Sequence, residues 1–314
     1  MQPILAALGV YLVFFISGVV QAAPSPAPAP HKELRIPTPA PNEESRGHEQ
    51  MPVMHLRAVL APDMKPLTSG VKWRVFTPPS TTTTPSLIAT SDDSEPRFLL
   101  KPGPYIIHAT FGFASTIKNI ELSRSVVESL VIHAGVLRMI GKNMGTEIPE
   151  SRITFAVYVP YDNNPEGRLL LRGIKPNTVI RLPEGTYHIV STYGNANSIL
   201  TADRKIKSDT VTDVTFNHHA ATITFKLVRT PGGEAFAETA FSVLTPGGDP
   251  ISILAPGNKV SKRETTGAFP SLTLAEGRYV VVARHEGQTY TQEFSVKNGI
   301  NQDVEVLAGE SLPH

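Results

Sequence analysis

An all-β fold of three tandem Greek-key sandwiches is predicted by a repeated phrase, a second phrase in step with it, and the strand pattern between them. Leu100-Lys-Pro-Gly103-Pro-Tyr105 recurs as Leu182-Pro-Glu-Gly185-Thr-Tyr187 and as Leu274-Ala-Glu-Gly277-Arg-Tyr279. Upstream stands aromatic-x-Val-x-x-Pro: Trp73-Arg-Val75-Phe-Thr-Pro78, Phe155-Ala-Val157-Tyr-Val-Pro160 and Phe241-Ser-Val243-Leu-Thr-Pro246. The aromatic-to-tyrosine interval is 32, 32 and 38 residues. Landmarks that return in register identify copies of one small unit. The copies are predicted at 53–134, 135–219 and 220–310. Units this small bury thin cores, so contacts between neighbours contribute to stability.

Residues 3–20 are an almost continuous apolar run, and Val20-Gln21-Ala22 before Ala23 has the small-residue pattern of a signal peptidase site. A signal peptide is therefore expected over 1–22. The run is also just long enough to span a bilayer if it stays uncleaved, which is the one route to a membrane location. Residues 23–52 carry most of their prolines in an x-Pro-x-Pro rhythm, from Pro24 to Pro41. Proline fixes φ and removes donors, so this stretch is expected to be a disordered polyproline spacer.

From residue 53 short β-type runs alternate with Gly, Pro, Asn and Asp. Tyr105 to Phe111, Thr186 to Tyr193 and Tyr279 to Arg284 are rich in β-branched and aromatic residues. Each leads through a turn into a further strand: Ser115 to Leu122, Ala202 to Ile206, and Gln288 to Val296. A closing strand follows at Ser129–Ile132, Asp213–Phe216 and Gln302–Val306. The first two closing strands run through His133-Ala-Gly135 and His218-His219 almost directly into the next opening strand. Junctions this short hold neighbouring units at a restricted angle and predict a stiff rod. Many short strands with turns between them argue for a Greek-key sandwich in each copy.

The phrases have physical roles that need no ligand. Tyr105, Tyr187 and Tyr279 fit tyrosine corners, each hydroxyl turning back to the backbone just upstream, with the glycine easing the turn. Trp73, Phe155 and Phe241 are expected to fill one core slot in each copy, the following proline ending the strand.

These residues resemble the transthyretin-like superfamily of bacterial sandwiches, including carboxypeptidase regulatory-like and collagen-binding-protein B-type domains. The third copy carries the likeness best, through Thr222 to Leu227, Pro231-Gly-Gly233, Phe241 to Gly248, Gly267 and Leu274 to Tyr279. Similar tandem layouts occur in envelope proteins of alphaproteobacteria. B-type domains often form an internal Lys–Asn isopeptide bond beside a buried acid. Here only the third opening strand has a lysine (Lys226), Val304-Glu-Val306 has no asparagine, and Ser271 to Leu274 offers no acid. The cross-link is therefore not expected.

No catalytic, cofactor-binding or metal residue is assigned, and no cofactor is expected. The chain has no cysteine, which removes disulfides and thiolate chemistry. Its 29 basic and 28 acidic residues leave no basic stripe for nucleic acid. His218-His219 reads as a junction turn with solvated imidazoles, since adjacent strand residues face opposite ways and rarely share one metal. His108, His188 and His285 stand at different offsets from their tyrosines. Ser91-Asp-Asp-Ser-Glu95 and Tyr161-Asp-Asn-Asn164 read as polar loops, with weak calcium binding as the alternative. The expected role is a non-enzymatic secreted or periplasmic repeat protein acting in binding, adhesion or envelope scaffolding. Its partner would be an envelope protein or glycan, met by loops at 79–96, 161–178 and 247–268, where the copies differ most. The alternative is a carbohydrate- or peptidoglycan-binding accessory to a separate enzyme, for which Tyr158, Tyr161 and Tyr193 are candidate aromatics.

Overall fold

The computed structural model describes residues 51–80, 84–161, 164–251, 253–255, 259–262 and 264–309. The signal peptide expected over 1–22, and the spacer expected over 23–52 apart from Met51 and Pro52, lie outside the described residues. Among the described residues no helix is long and apolar enough to cross a membrane.

Among the described residues the first copy builds seven strands. An opening strand (Val53–Val59) pairs antiparallel with a short edge strand (Arg97–Leu99) and parallel with the closing strand (Val126–Val131). The second sheet is wholly antiparallel. Its order is outer strand (Ser86–Ser91), aromatic strand (Val71–Thr77), corner strand (Gly103–Phe111) and return strand (Ala114–Leu122). Alternation along the aromatic strand sends Val71, Trp73 and Val75 inward and leaves Lys72 and Arg74 exposed, as a half-buried strand requires.

The other copies repeat the plan. In the second, the opening strand is Ala134–Asn143, the edge strand Ile180–Pro183 and the closing strand Val211–His218. Its facing sheet runs Asn164–Ile174, Ile153–Tyr161, Gly185–Tyr193, Ser198–Ile206. In the third, Ala220–Val228 pairs with the edge strand Ser271–Ala275 and the closing strand Gln302–Leu307. Its facing sheet runs Thr265–Thr266, Ala240–Leu244, Gly277–His285, Gln288–Val296.

Three separate clusters of buried side chains lie between these sheet pairs. Trp73, Phe155 and Phe241 occupy the same slot in each, at most 1% exposed. The corner tyrosines donate to carbonyls four residues upstream: Tyr105 to Lys101 (2.8 Å), Tyr187 to Pro183 (2.9 Å) and Tyr279 to Ala275 (2.8 Å). Of the phrase glycines only Gly103 adopts a left-handed φ (150°), so backbone freedom explains one glycine of the three.

The expected variable loops are partly strand. Residues 164–174 pair along the aromatic strand, Arg168 opposite Val159 and Leu171 opposite Val157. Ser86–Ser91 does the same against Trp73 to Thr77, and 253–255 forms a hairpin with 259–262. Each sheet gains an outer strand because the aromatic strand would otherwise expose one full row of backbone donors and acceptors.

Candidate functional site

The sequence-expected polar groups are spread over the molecule and held by local partners. In the Ser91–Glu95 segment the Asp93 carbonyl accepts the Trp73 indole N–H (3.0 Å), and Asp93 closes a turn on Ser91 Oγ. Glu95 pairs with Arg57 at 3.1 Å. Asp162 and Asn163 lie outside the described residues. No group of three metal-ligating side chains occurs among the described residues. Lys226 pairs with Asp303 on the closing strand. Of the candidate aromatics, Tyr193 is 7% exposed, and Tyr158 is half-buried and edge-on to His188.

Different residues converge where one sandwich meets the next. In both joints the hairpin between corner and return strands docks on the edge strand of the following sandwich. At the first joint the Phe113 N–H donates to the Arg181 carbonyl (3.0 Å), and the Arg181 guanidinium lies 4.7 Å from the Phe111 ring centre. At the second, Asn195 and Asn197 accept from the Thr273 and Ala275 N–H groups (3.1 and 3.0 Å). Arg152 lies 5.2 Å over the Tyr193 ring and donates to Thr222 and Thr273. Ala134 and Ala220, where the next opening strands begin, are fully buried in the cores before them.

His218 lies beneath the second joint. The sequence reading placed it in solvent, but it is 1% exposed. Its Nε2 meets Ser191 Oγ at 2.8 Å and its Nδ1 meets Ser198 Oγ at 2.9 Å, with the Tyr193 ring edge-on. The closing strand continues through residue 218, so Val214, Phe216 and His218 alternate inward while His219 faces out to Asn298. Burial, with His219 nearby, holds the His218 pKa down to about 4, so the ring is neutral and one nitrogen donates while the other accepts.

Register aligns the three sandwich ends. Phe111, Tyr193 and His285 each stand six residues after the corner tyrosine. Gly112, Gly194 and Glu286 follow them, and Ile132, His218 and Ala308 share one register position at the close of the closing strands, Ile132 and Ala308 just past the last strand residue. Leu60, Asn143 and Arg229 take the facing position. Asn143 bonds both the carbonyl and the N–H of Ala220 (3.0 and 3.2 Å). Among the described residues no hairpin or edge strand of a further sandwich covers the third end. There an open cleft of about 660 Å³ is lined by Arg229, Phe236, His285, Gln288 and Tyr290, with Phe236 and His285 ring centres 5.0 Å apart. An aromatic six residues past each tyrosine was the available sequence signal for these ends.

Residues 222–308 match the family model described as a Rhizobiales growth-associated tandem repeat domain. The match covers the third sandwich alone. No curated protein matches the chain. Among solved structures, the TIE protein of Bacillus anthracis is 15% identical with a TM-score of 0.23, over 82% of this chain and 51% of that one. The chain thus spans about half the length of that protein. The minor pilin of Streptococcus agalactiae is 16% identical, with a TM-score of 0.30 over 53% and 94% of the two chains. The major pilin subunit of Bacillus cereus is 12% identical, with a TM-score of 0.21 over 82% and 99%.

Proposed function

We propose that this chain is a non-enzymatic scaffold of the bacterial envelope, exported by its N-terminal signal and divided at 134/135 and 219/220. Its sandwiches hold variable outer segments at fixed spacing for an envelope protein or glycan. The observation that carries this reading is the build of the joints. Arg152 and Asn143 hold the second sandwich to the third, and His218 is buried beneath that joint, bonded within its own sandwich. Fixed joints reduce the ordering entropy of a surface that engages a partner at several points. The outer segments at 79–96, 161–178 and 247–268 follow equivalent aromatic strands, so a repeated joint presents them repeatedly.

A second reading, a glycan-binding accessory, is favoured by the cleft of the third end, where Phe236 and Tyr290 lie beside Arg229 and Gln288. Aromatic faces with a few planar polar groups suit a saccharide.

Cross-linking in intact cells, read by mass spectrometry, tests the first reading. Cross-links from the three outer segments to one recurrent envelope component, on a chain beginning at Ala23, are the expected outcome. Cross-links confined to the third end would favour the accessory. A chain retaining Met1 would replace export with a membrane tether.

A further inference from the structure

The two joints share one requirement that the third end violates. Gly112 and Gly194 have left-handed φ values of 66° and 75° and lie against the next edge strand. A Cβ on Gly112 would stand 2.6 Å from the Arg181 Cβ, and one on Gly194 would stand 2.2 Å from the Thr273 Cβ. Both are well inside contact distance, so only glycine lets the hairpin approach. At the matching position the third sandwich carries Glu286, also left-handed (φ 47°), with its side chain 86% exposed. Its turn is two residues long like Gly112-Phe113, but its second residue, Gly287, is also left-handed (φ 78°) where Phe113 is not.

The other half of the joint is left over at the opposite end. Leu99 of the first edge strand occupies the register position of Arg181 and Thr273, opposite Val53 as they are opposite Val136 and Thr222. It is 58% exposed, and no hairpin covers it among the described residues. An apolar side chain at an open sheet edge is a docking feature that a monomer ordinarily avoids.

We propose that the edge strand Arg97–Leu99 is an interaction surface for another chain's β-sandwich ending in an aromatic–glycine hairpin, and that Glu286 bars this chain's own third hairpin from that role. The occupant follows from continuity with the two joints already built in the chain. Such a contact is heterologous and does not close on itself, so a glycine at 286 would allow head-to-tail growth from copy to copy. A left-handed residue bearing a side chain stops that growth without disturbing the fold of the sandwich that carries it.

The test copies the first hairpin onto the third in the full chain: His285→Phe, Glu286→Gly, Gly287→Phe and Gln288→Ala. Sedimentation velocity is run to about 1 mM, the effective concentration a short tether provides inside the chain. The wild-type chain is expected to stay a single species, while the variant at least doubles its mean mass. The same graft retaining Glu286, and the full graft with Leu99→Glu, are expected to return to the single species. A full graft that stays monomeric overturns the docking surface, including the case in which residues before 51 already cover the edge. Association of the graft that retains Glu286 overturns the barring role. Gly194→Glu in the otherwise native chain covers the case of a graft that does not fold. It is expected to free the third sandwich to tumble independently in NMR relaxation, and unchanged joint tumbling would overturn the glycine requirement.

Discussion

Leu60, Ala109, Ala114 and Ile132 close the far end of the first sandwich, and Asn143, Ser191, Ser198 and His218 stand at the same positions in the second. The two joints share a plan, with a hairpin on the edge strand, glycine at the contact and an alanine sunk into the preceding core, although the hairpin turn has two residues in the first and four in the second. The side chains differ in kind. Apolar burial is strong and non-directional, so in the first joint orientation falls to the Phe113–Arg181 hydrogen bond and the ring under the guanidinium. In the second, both amide ends of Asn143 cross to Ala220, and both nitrogens of His218 are committed to serines of its own sandwich beneath the joint, each bond fixing a direction. The polar set gives up some hydrophobic stabilisation and gains geometric definition and sensitivity to protonation.

The largest effect is expected at the apolar end. Trp73→Ala leaves a cavity worth about 3–5 kcal/mol and unfolds the first sandwich. Because Ala134 is buried in that core, loss should spread to the second sandwich while the third keeps its amide protection. Hydrogen exchange followed sandwich by sandwich checks this, and three independent responses would break the picture of joined cores.

Next comes the hairpin glycine of the polar joint. Gly194→Ala is strained at φ and overlaps Thr273, about 2–4 kcal/mol together in chemical denaturation. Gly287→Ala, with similar φ but nothing within 4 Å, is expected to cost only the backbone part, about 1–2 kcal/mol. Equal losses at the two positions would remove the argument for close docking.

The protonation contrast is comparable in size but confined to acid. The His218 pKa falls from 6.5 to about 4 on folding. The unfolded chain therefore takes up the proton first, and stability drops as pH falls through that window, then levels below it. The loss is on the order of 3 kcal/mol. Giving the second joint the apolar set of the first, by His218→Ile, Ser191→Ala and Ser198→Ala, should flatten that slope relative to wild type. Thermal melts from pH 7 to 4 read the difference. The smallest effect is Arg181→Ala, which removes one cation–π contact and should cost about 0.5–1 kcal/mol by denaturant titration.

Much of the scaffold was legible because its signals are local. Leu-x-x-Gly-x-Tyr marks a corner whose hydrogen bond spans four residues, and the aromatic slot lies on a strand with clean alternation. The joints were harder to read. His218 looked like part of a polar turn because it neighbours His219, yet Val214-Thr-Phe216-Asn-His218 keeps a period of two that sends the imidazole inward. Residues 164–174 looked like loop because Asn164-Pro165 and Gly167 carry turn chemistry, while Arg168 to Arg172 pairs as an edge strand. Contacts such as Arg152 with Thr273 span 121 residues, and no local pattern announces them.

If the joints are built interfaces, the three sandwiches move together. Residual dipolar couplings on the full chain in a weakly aligned medium test it most directly. A single alignment tensor fitting amides throughout residues 53–309 is the predicted result, at pH 7 and with the second joint neutral. Three tensors of different magnitude, one for each sandwich, would contradict it.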